Sequence, residues 1–435
     1  VKNIYLNQGK HVYLSEYNII VNREIEKQFY KYEKNRRVEI ADQKINEEYL
    51  RFRVSKLQQL IFQITQNCNL RCKYCIYGGS YENERKWSEK RMSFEIARRS
   101  MEYLSDVFIN RVNKTFVLGF YGGEPTLEFK LIEDIVSFSK KVFSHYDLNY
   151  VMTTNMTNLN DEMIHFFVSE DFNLVVSLDG PKENHDEKRI FANGNGSFEI
   201  IMDNLKKIKR YAPDYFANNI SIELVYSPDL SFTRVYDFFR NNELIKNSRL
   251  LLNSVGKYNT SYYTKYPYDK EKVKKQVKKV VKITREKLKN KKDLVPFERA
   301  MLRGVRVIKS GLEKKNLSTR ANTCLFDDRL FVDSEGNFHV CERINESFPI
   351  GNVWDGFDFV KMKKMLKGFV DVIKKECLDC EIRSLCNKCF TAFAGKNRFE
   401  IPDGYCEDRK YEVEKNLENF IKISLDEGEI RPNED

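Results

Sequence analysis

The sequence predicts an α/β protein, a partial (β/α)6 barrel followed by a cysteine-rich C-terminal domain. Three observations lead there. Between residues 58 and 256, short apolar runs of strand length alternate with longer stretches of helical periodicity, the pattern of a parallel sheet with crossover helices. Three cysteines, Cys68, Cys72 and Cys75, follow the first of those runs. The other seven cysteines all fall within residues 322–406.

Taken in order, residues 1–57 form a small separate region. Val12–Leu14 and Tyr17–Val21 read as a hairpin, and a charged, helix-like stretch follows around Ile25–Glu33. This region is either a peptide-docking element or a cap on the barrel edge. Residues 58–256 supply six strands: Leu60–Thr65, Thr115–Tyr121, Tyr150–Thr154, Leu174–Leu178, Ile220–Tyr226 and Arg249–Asn253. Helices such as Ser93–Phe108 and Phe198–Tyr211 lie between them. Residues 257–321 read as a charged helical bridge, in which Val273, Val277 and Val280 recur at helical spacing among lysines. Residues 322–410 make the cysteine-rich domain, and residues 411–435 a helix and polar tail.

Composition narrows the function. Apolar residues are 41% of the chain, enough for a large core, yet no apolar run approaches the ~20 residues of a membrane helix. The stretch Val1–Leu6 has no signal-peptide pattern, so a cytoplasmic location is expected. In that reducing compartment ten cysteines imply metal or redox work rather than disulfides. Five histidines, none paired at metal spacing, argue against a histidine-ligated hydrolase. The net charge of +10 would attract an acidic peptide or nucleic acid, but lysines spread along helix faces favour a solvated surface.

The run Asn67-Cys68-Asn69-Leu70-Arg71-Cys72-Lys73-Tyr74-Cys75 is the most informative. Four thiolates close a 4Fe–4S cubane, whereas three leave one iron open to a substrate or cofactor. A structural zinc site wants four protein ligands, and no fourth stands nearby. Buried apolar cysteines are the remaining alternative. The loop follows a strand's carboxyl end, where α/β folds bind ligands. Here the sequence resembles the radical S-adenosylmethionine (radical SAM) superfamily. That resemblance implies that SAM chelates the open iron, is cleaved by one electron, and yields a 5′-deoxyadenosyl radical that takes a hydrogen atom from the substrate. Tyr74 matches the aromatic position packed near adenine. Gly122-Gly123-Glu124-Pro125 matches the motif that holds the SAM amino group, where glycines permit close approach and a carboxylate pairs with an ammonium. Thr153 and Asn155 match a third motif, with Met156 standing where relatives have glycine. Ser177 and Asp179 end the fourth strand, Ser177 at the position that meets the SAM carboxylate or ribose. The run Ser177–Pro181, with His185, Asp186, Arg189 and Gly194–Phe198, resembles anaerobic sulfatase-maturing enzymes and radical SAM peptide maturases.

Cys324, Cys341, Cys377, Cys380, Cys386, Cys389 and Cys406 resemble the SPASM domain and its auxiliary 4Fe–4S clusters, although the gap between Cys386 and Cys389 is two residues where relatives have three. A zinc ribbon is the alternative, and seven thiolates suit neither one zinc site nor two. The family pattern implies Cys377, Cys380, Cys386 and Cys406 on a distal cluster and Cys324, Cys341 and Cys389 on a proximal one. The proximal cluster would then have an iron open to Asp327, Asp328 or a substrate thiolate. Glu342, directly after Cys341, is the expected catalytic base.

Together these imply three 4Fe–4S clusters and SAM as cofactors. The partners implied are a precursor peptide and an electron donor of flavodoxin or ferredoxin type, with no nucleic acid and no membrane. The expected reaction is crosslinking of a ribosomally made peptide, with a cysteine thioether as first choice and a carbon–carbon or other side-chain crosslink as the alternative. Formylglycine formation in a sulfatase is the runner-up. The resemblance covers residues 58–410.

Overall fold

The computed structural model describes residues 3–26, 39–41, 45–82, 84–108, 113–313, 316–318, 324 and 326–427. Three short strands, β1 (Ile4–Leu6), β2 (His11–Leu14) and β3 (Ile19–Asn22), form an antiparallel sheet. The predicted hairpin is its second half. β4 (Glu39–Ala41) pairs in parallel with a later strand described below. Most of the predicted helix at Ile25–Glu33 lies outside the described residues.

The central sheet begins with β5 (Gln59–Thr65), β6 (Thr115–Gly122), β7 (Asp147–Thr154), β8 (Asn173–Ser177), β9 (Ile220–Tyr226) and β10 (Arg249–Ser254). Each pairs in parallel with the next in sequence, so spatial order follows chain order. β5 shows why: Leu60 to Thr65 are all buried, as a strand covered on both faces requires. Helices return the chain across the outside. Phe94–Val107 starts where Ser93 caps the Ile96 amide (3.3 Å) and buries Ala97, Met101 and Leu104 along one stripe. Phe129–Val142 and Phe198–Tyr211 bury Ile132, Ile135, Val136 and Ile201, Leu205, Ile208 in the same way. The six strands lie where the apolar runs put them. β7 starts three residues before the run, because Asp147–Asn149 pair with β6 through the main chain while carrying little apolar signal.

The sheet does not stop at β5. After β11 (Asn316–Ser318), the partner of β4, come β12 (Arg329–Val332), β13 (Asn337–His339), β14 (Gly351–Asn352) and β15 (Gly356–Phe357). β12 lies parallel to β5 with Phe331 opposite Ile61, and β13 to β15 extend the sheet antiparallel, giving ten strands in all. The cysteine-rich region is thus hydrogen-bonded to the barrel's first strand. β1 and β2 pack Leu6 and Tyr13 against Ile382, Leu385, Val413 and Leu417, so the N-terminal sheet leans on the cysteine-rich region and the last helix. That helix, Tyr405–Glu427, contains Cys406 in its first turn and runs through the expected boundary at residue 410. In the bridge, Lys270–Lys289 buries Val280 and half-buries Val273 and Val277, and Pro296–Met301 and Arg303–Leu312 follow. No described helix is long and apolar enough to cross a membrane.

Candidate active site

A cavity of about 310 Å³ opens at the carboxyl ends of β5 to β10, and each of β6 to β10 puts side chains or backbone on its wall. The loop after β5 brings Cys68, Cys72 and Cys75 there. Its shape is fixed by main-chain bonds. The Cys75 amide donates to the Cys72 carbonyl (3.0 Å), and Arg71 and Lys73 amides donate to the carbonyls of Ile190 (2.6 Å) and Lys188 (2.9 Å) beyond β8. Burial pushes the Cys68 and Cys75 thiols up to about 12 and raises Cys72 as well.

Next to the thiols, β6 ends in Gly122 and Gly123. A Cβ on either would meet the Thr65 carbonyl oxygen at 2.2 Å or that of Asn67 at 1.9 Å, so only glycine lets the two loops touch. Glu124 is buried, and its carboxylate accepts from the Thr154 hydroxyl (2.7 Å), the Asn155 amide (2.7 Å) and the Thr126 hydroxyl (2.8 Å) and amide (3.2 Å). Burial raises its pKa despite those donors, and no Lys, Arg or His among the described residues pairs with it. Pro125 begins the 3-10 turn behind it and is off the wall. Thr153 and Asn155 line the cavity, and the Asn155 side chain donates to Asn69 (2.8 Å) and to the Cys68 sulfur (3.8 Å). Met156 takes a left-handed conformation, φ +60°, is fully buried, and accepts at its carbonyl from the Asn204 side chain (2.8 Å).

Ser177 lines the wall, and its hydroxyl has no hydrogen-bond partner among the described residues. Asp179 does not reach the wall. Its carboxylate accepts from the Tyr74 hydroxyl, Arg189 Nε (2.9 Å) and the Val225 amide (3.0 Å), and its own amide donates to His185 Nδ1 (3.2 Å). Its place is to aim Arg189, which lines the cavity, sits 5.4 Å over the Tyr74 ring and points Nη1 at the Cys72 sulfur (3.9 Å). Tyr74 lines the cavity as the resemblance implies, with its hydroxyl turned away onto Asp179.

The far end of the cavity was not foreseen. Tyr121, Glu223 on β9, Asn253 on β10 and Arg343 close it. Asn253 donates to Glu223 (2.8 Å), and Arg343 approaches the same carboxylate oxygen at 3.7 Å. A polar residue at the carboxyl end of each strand was the available signal. Glu342 is off the wall, its carboxylate held by Arg329 (3.3 Å) and close to the Arg343 guanidinium (3.9 Å), so the neighbour Arg343 faces the cavity instead.

Residues 62–237 match the radical SAM superfamily model. The chain carries a radical SAM domain. It is 32% identical over 193 residues to a cysteine-type anaerobic sulfatase-maturating enzyme of Clostridium novyi (strain NT), a match covering 44% of this chain and 50% of that relative. The match thus spans about half the length of that curated relative. It is 22% identical over 445 residues to the radical SAM cyclopropyl synthase TigE of Paramaledivibacter caminithermalis, covering 97% of this chain and 88% of that one. Its fold resembles the solved structure of native anSMEcpe with bound AdoMet and Kp18Cys peptide, with a TM-score of 0.63 at 20% identity over 85% of this chain and 99% of that one.

A radical SAM domain implies a 4Fe–4S cluster and SAM, and the residues of the site fit both. Among the described residues no three His, Cys, Asp or Glu side chains close on one point tightly enough for a single ion. A cubane takes each thiolate on a different iron and needs its ligands spread, whereas zinc gathers them about 2.3 Å from one centre. Glu124 is a buried carboxylate without a cation, which an ammonium group would complete. The C-terminal cysteines act on one another. Cys341 is pushed up to about 12 and Cys324 to about 11, chiefly by burial, with Cys389 close enough to act on both. Cys377, likewise pushed up by burial to about 11, feels Cys386, Cys380 and Cys406. Asp327 is paired with Arg53 (2.5 Å), whereas Asp328 borders Cys324.

Proposed function

We propose that this radical SAM enzyme oxidises a peptide, and that its product is a cysteine thioether crosslink. What supports the reading is that Cys389 lies close enough to act on both Cys324 and Cys341, whereas Cys377 is acted on by Cys380, Cys386 and Cys406. Three thiolates there leave one coordination position for Asp328 or for a substrate thiolate, the natural soft ligand of iron. On this reading the protein holds three clusters, and a flavodoxin- or ferredoxin-type donor reduces the first.

When bound, the cluster and SAM would supply a carbon-centred radical that removes one hydrogen atom from the peptide; the carbon–sulfur bond would then form with loss of the thiol proton, the remaining electron leaving to the auxiliary cluster that Cys324, Cys341 and Cys389 would hold. The chain's own residues arrange that event. Glu124 would pair with the SAM ammonium, Asn155 and the glycine loop would hold the surrounding chain in place, and Ser177 would offer a hydroxyl to the ribose or carboxylate. Arg189, aimed by Asp179, keeps a positive charge against Cys72. Tyr77, Tyr81 and Tyr121 line the cavity with aromatic surface that excludes water. Glu342 orients Arg343 at the substrate end.

A second reading has its own support. The likeness to sulfatase-maturating enzymes favours formylglycine formation, and the whole-length likeness to a cyclopropyl synthase favours a carbon–carbon bond. Mass spectrometry of a cysteine-bearing peptide after reaction with SAM and reductant separates them. A thioether product is lighter by two hydrogens and resists thiol alkylation. A carbonyl-bearing product that reacts with hydrazide identifies formylglycine and rules out the thioether for that peptide. A product two hydrogens lighter with its thiol still alkylatable indicates the carbon–carbon bond.

A further inference from the structure

Away from the reaction cavity, a second and larger hollow of about 870 Å³ lies along the start of β10, between that strand and the helices Pro296–Met301 and Arg303–Leu312. Four arginines line it: Arg249, Arg299, Arg303 and Arg306. No Asp or Glu does. Among the described residues Arg249 and Arg303 have no ion pair, and the Arg299 side chain donates Nε to the Leu294 carbonyl (3.1 Å). The Arg249, Arg299 and Arg303 guanidinium groups, gathered with no carboxylate on the wall, raise the local potential and suit bidentate acceptors.

The floor says which kind of acceptor. It is aliphatic, with Leu250, Leu252 and Val307, and it has no aromatic side chain. A nucleic acid strand would want aromatic platforms for its bases, whereas aliphatic side chains fit aliphatic walls. β10 also ends the ten-stranded sheet, with a strand neighbour only on the side of β9. The same strand carries Asn253 and Ser254 into the reaction cavity, four to five residues from Arg249 or about 13–17 Å of extended chain.

We propose that this hollow docks an acidic peptide segment with aliphatic residues between its carboxylates, laid along β10 so that the adjoining residues reach the reaction cavity. This rests on the peptide reading of the active site and names the feature of the peptide that the enzyme recognises. The carboxylates take the arginines, the aliphatic side chains take the floor, and extended chain beside an edge strand is the ordinary geometry of such docking.

Fluorescence anisotropy with a labelled Glu-Leu-Glu-Glu-Leu-Glu peptide tests it, beside the Gln-Leu-Gln-Gln-Leu-Gln analogue and a single-stranded oligonucleotide. The acidic peptide should bind the full chain, the amide analogue should not, and binding should fade in about 1 M salt, where the Debye length is ~3 Å. The variant Arg249→Gln/Arg299→Gln/Arg303→Gln should bind at least tenfold more weakly, with SAM affinity and peptide-free 5′-deoxyadenosine formation unchanged. Should the triple variant fold poorly, Arg249→Gln and Arg303→Gln singly should each weaken binding several-fold. Equal binding by wild type and variants overturns the proposal. Tighter oligonucleotide binding that is lost in the same variants overturns it in favour of a nucleic-acid site. If the acidic peptide binds as expected but no cysteine peptide is ever modified, the docking stands and the active-site reading falls.

Discussion

The two ends of the reaction cavity are built differently. At the thiol end, Glu124 accepts four hydrogen bonds and Asp179 three, and the residues come from contiguous stretches after β5, β6, β7 and β8. At the far end, Glu223, Asn253 and Arg343 arrive singly from β9, β10 and the cysteine-rich region, joined by one 2.8 Å hydrogen bond and one loose ion pair. A cofactor that is the same in every turnover rewards a rigid, fully bonded cradle. A substrate that differs between enzymes is met by residues that can change without unmaking that cradle. The comparison yields predictions that should hit one end and spare the other.

The largest effect is expected at the thiol end. Substituting Cys68, Cys72 and Cys75 together by Ala should abolish 5′-deoxyadenosine formation while the C-terminal cysteines still bind iron, about two clusters' worth by iron and sulfide assay. Normal SAM cleavage in that variant would refute the division of cysteines between the regions.

The next effect is on stability and follows from His185. It is fully buried, its Nδ1 accepts from the Asp179 amide, and burial lowers its pKa to about 4 from the ordinary 6.5. A histidine held neutral in the fold binds fewer protons than its unfolded counterpart between those values, so stability is full above about 6.5 and falls as pH drops toward 4. The loss is on the order of 3 kcal/mol. Denaturant melts from pH 7 to pH 4 should show it, and His185→Asn should flatten the profile even if it lowers stability throughout. An equally steep profile in the variant would place the acid sensitivity elsewhere.

How much of this was legible in the sequence follows the same division. The strands from Leu60 to Asn253 were readable because each is an apolar run bounded by turn residues, and the thiol end because its residues lie in short stretches with fixed spacing. Arg189 was in view as part of a run, but its contact with Cys72 depends on the chain folding back after β8, which periodicity does not encode. Arg343 and the pairing of β12 with β5 depend on contacts across more than a hundred residues. The N-terminal sheet was half readable: Ile4–Leu6 is too short to give an alternating pattern, and its packing against Leu385 and Leu417 is tertiary information alone.

Glu124→Gln removes the charge from the cradle while keeping its shape. Without a charge-assisted bond to an ammonium, SAM affinity should fall by about 1.5–3 kcal/mol, or ten- to a hundredfold. Isothermal titration measures it on the reconstituted protein. Unchanged affinity would mean that the buried carboxylate is structural and that the ammonium sits elsewhere.

The smallest effects test where the boundary runs. Ser177 and Glu223 are register partners on adjacent strands, so the two ends of the cavity meet between β8 and β9. Ser177 has a hydroxyl with no described partner, and Arg343 reaches the wall from the opposite side beside Glu223. Ser177→Ala should cost about 0.5–1.5 kcal/mol of SAM binding, a several-fold change, and leave the ratio of modified peptide to 5′-deoxyadenosine as it was. Arg343→Gln should do the reverse: SAM affinity stays within twofold while that ratio falls several-fold, because the substrate is held less well as the radical forms. Glu223 keeps its bond from Asn253 in that variant, so the wall itself survives. If both variants shift SAM affinity alike, the far end belongs to the cofactor as well, and the peptide must be gripped from outside the cavity.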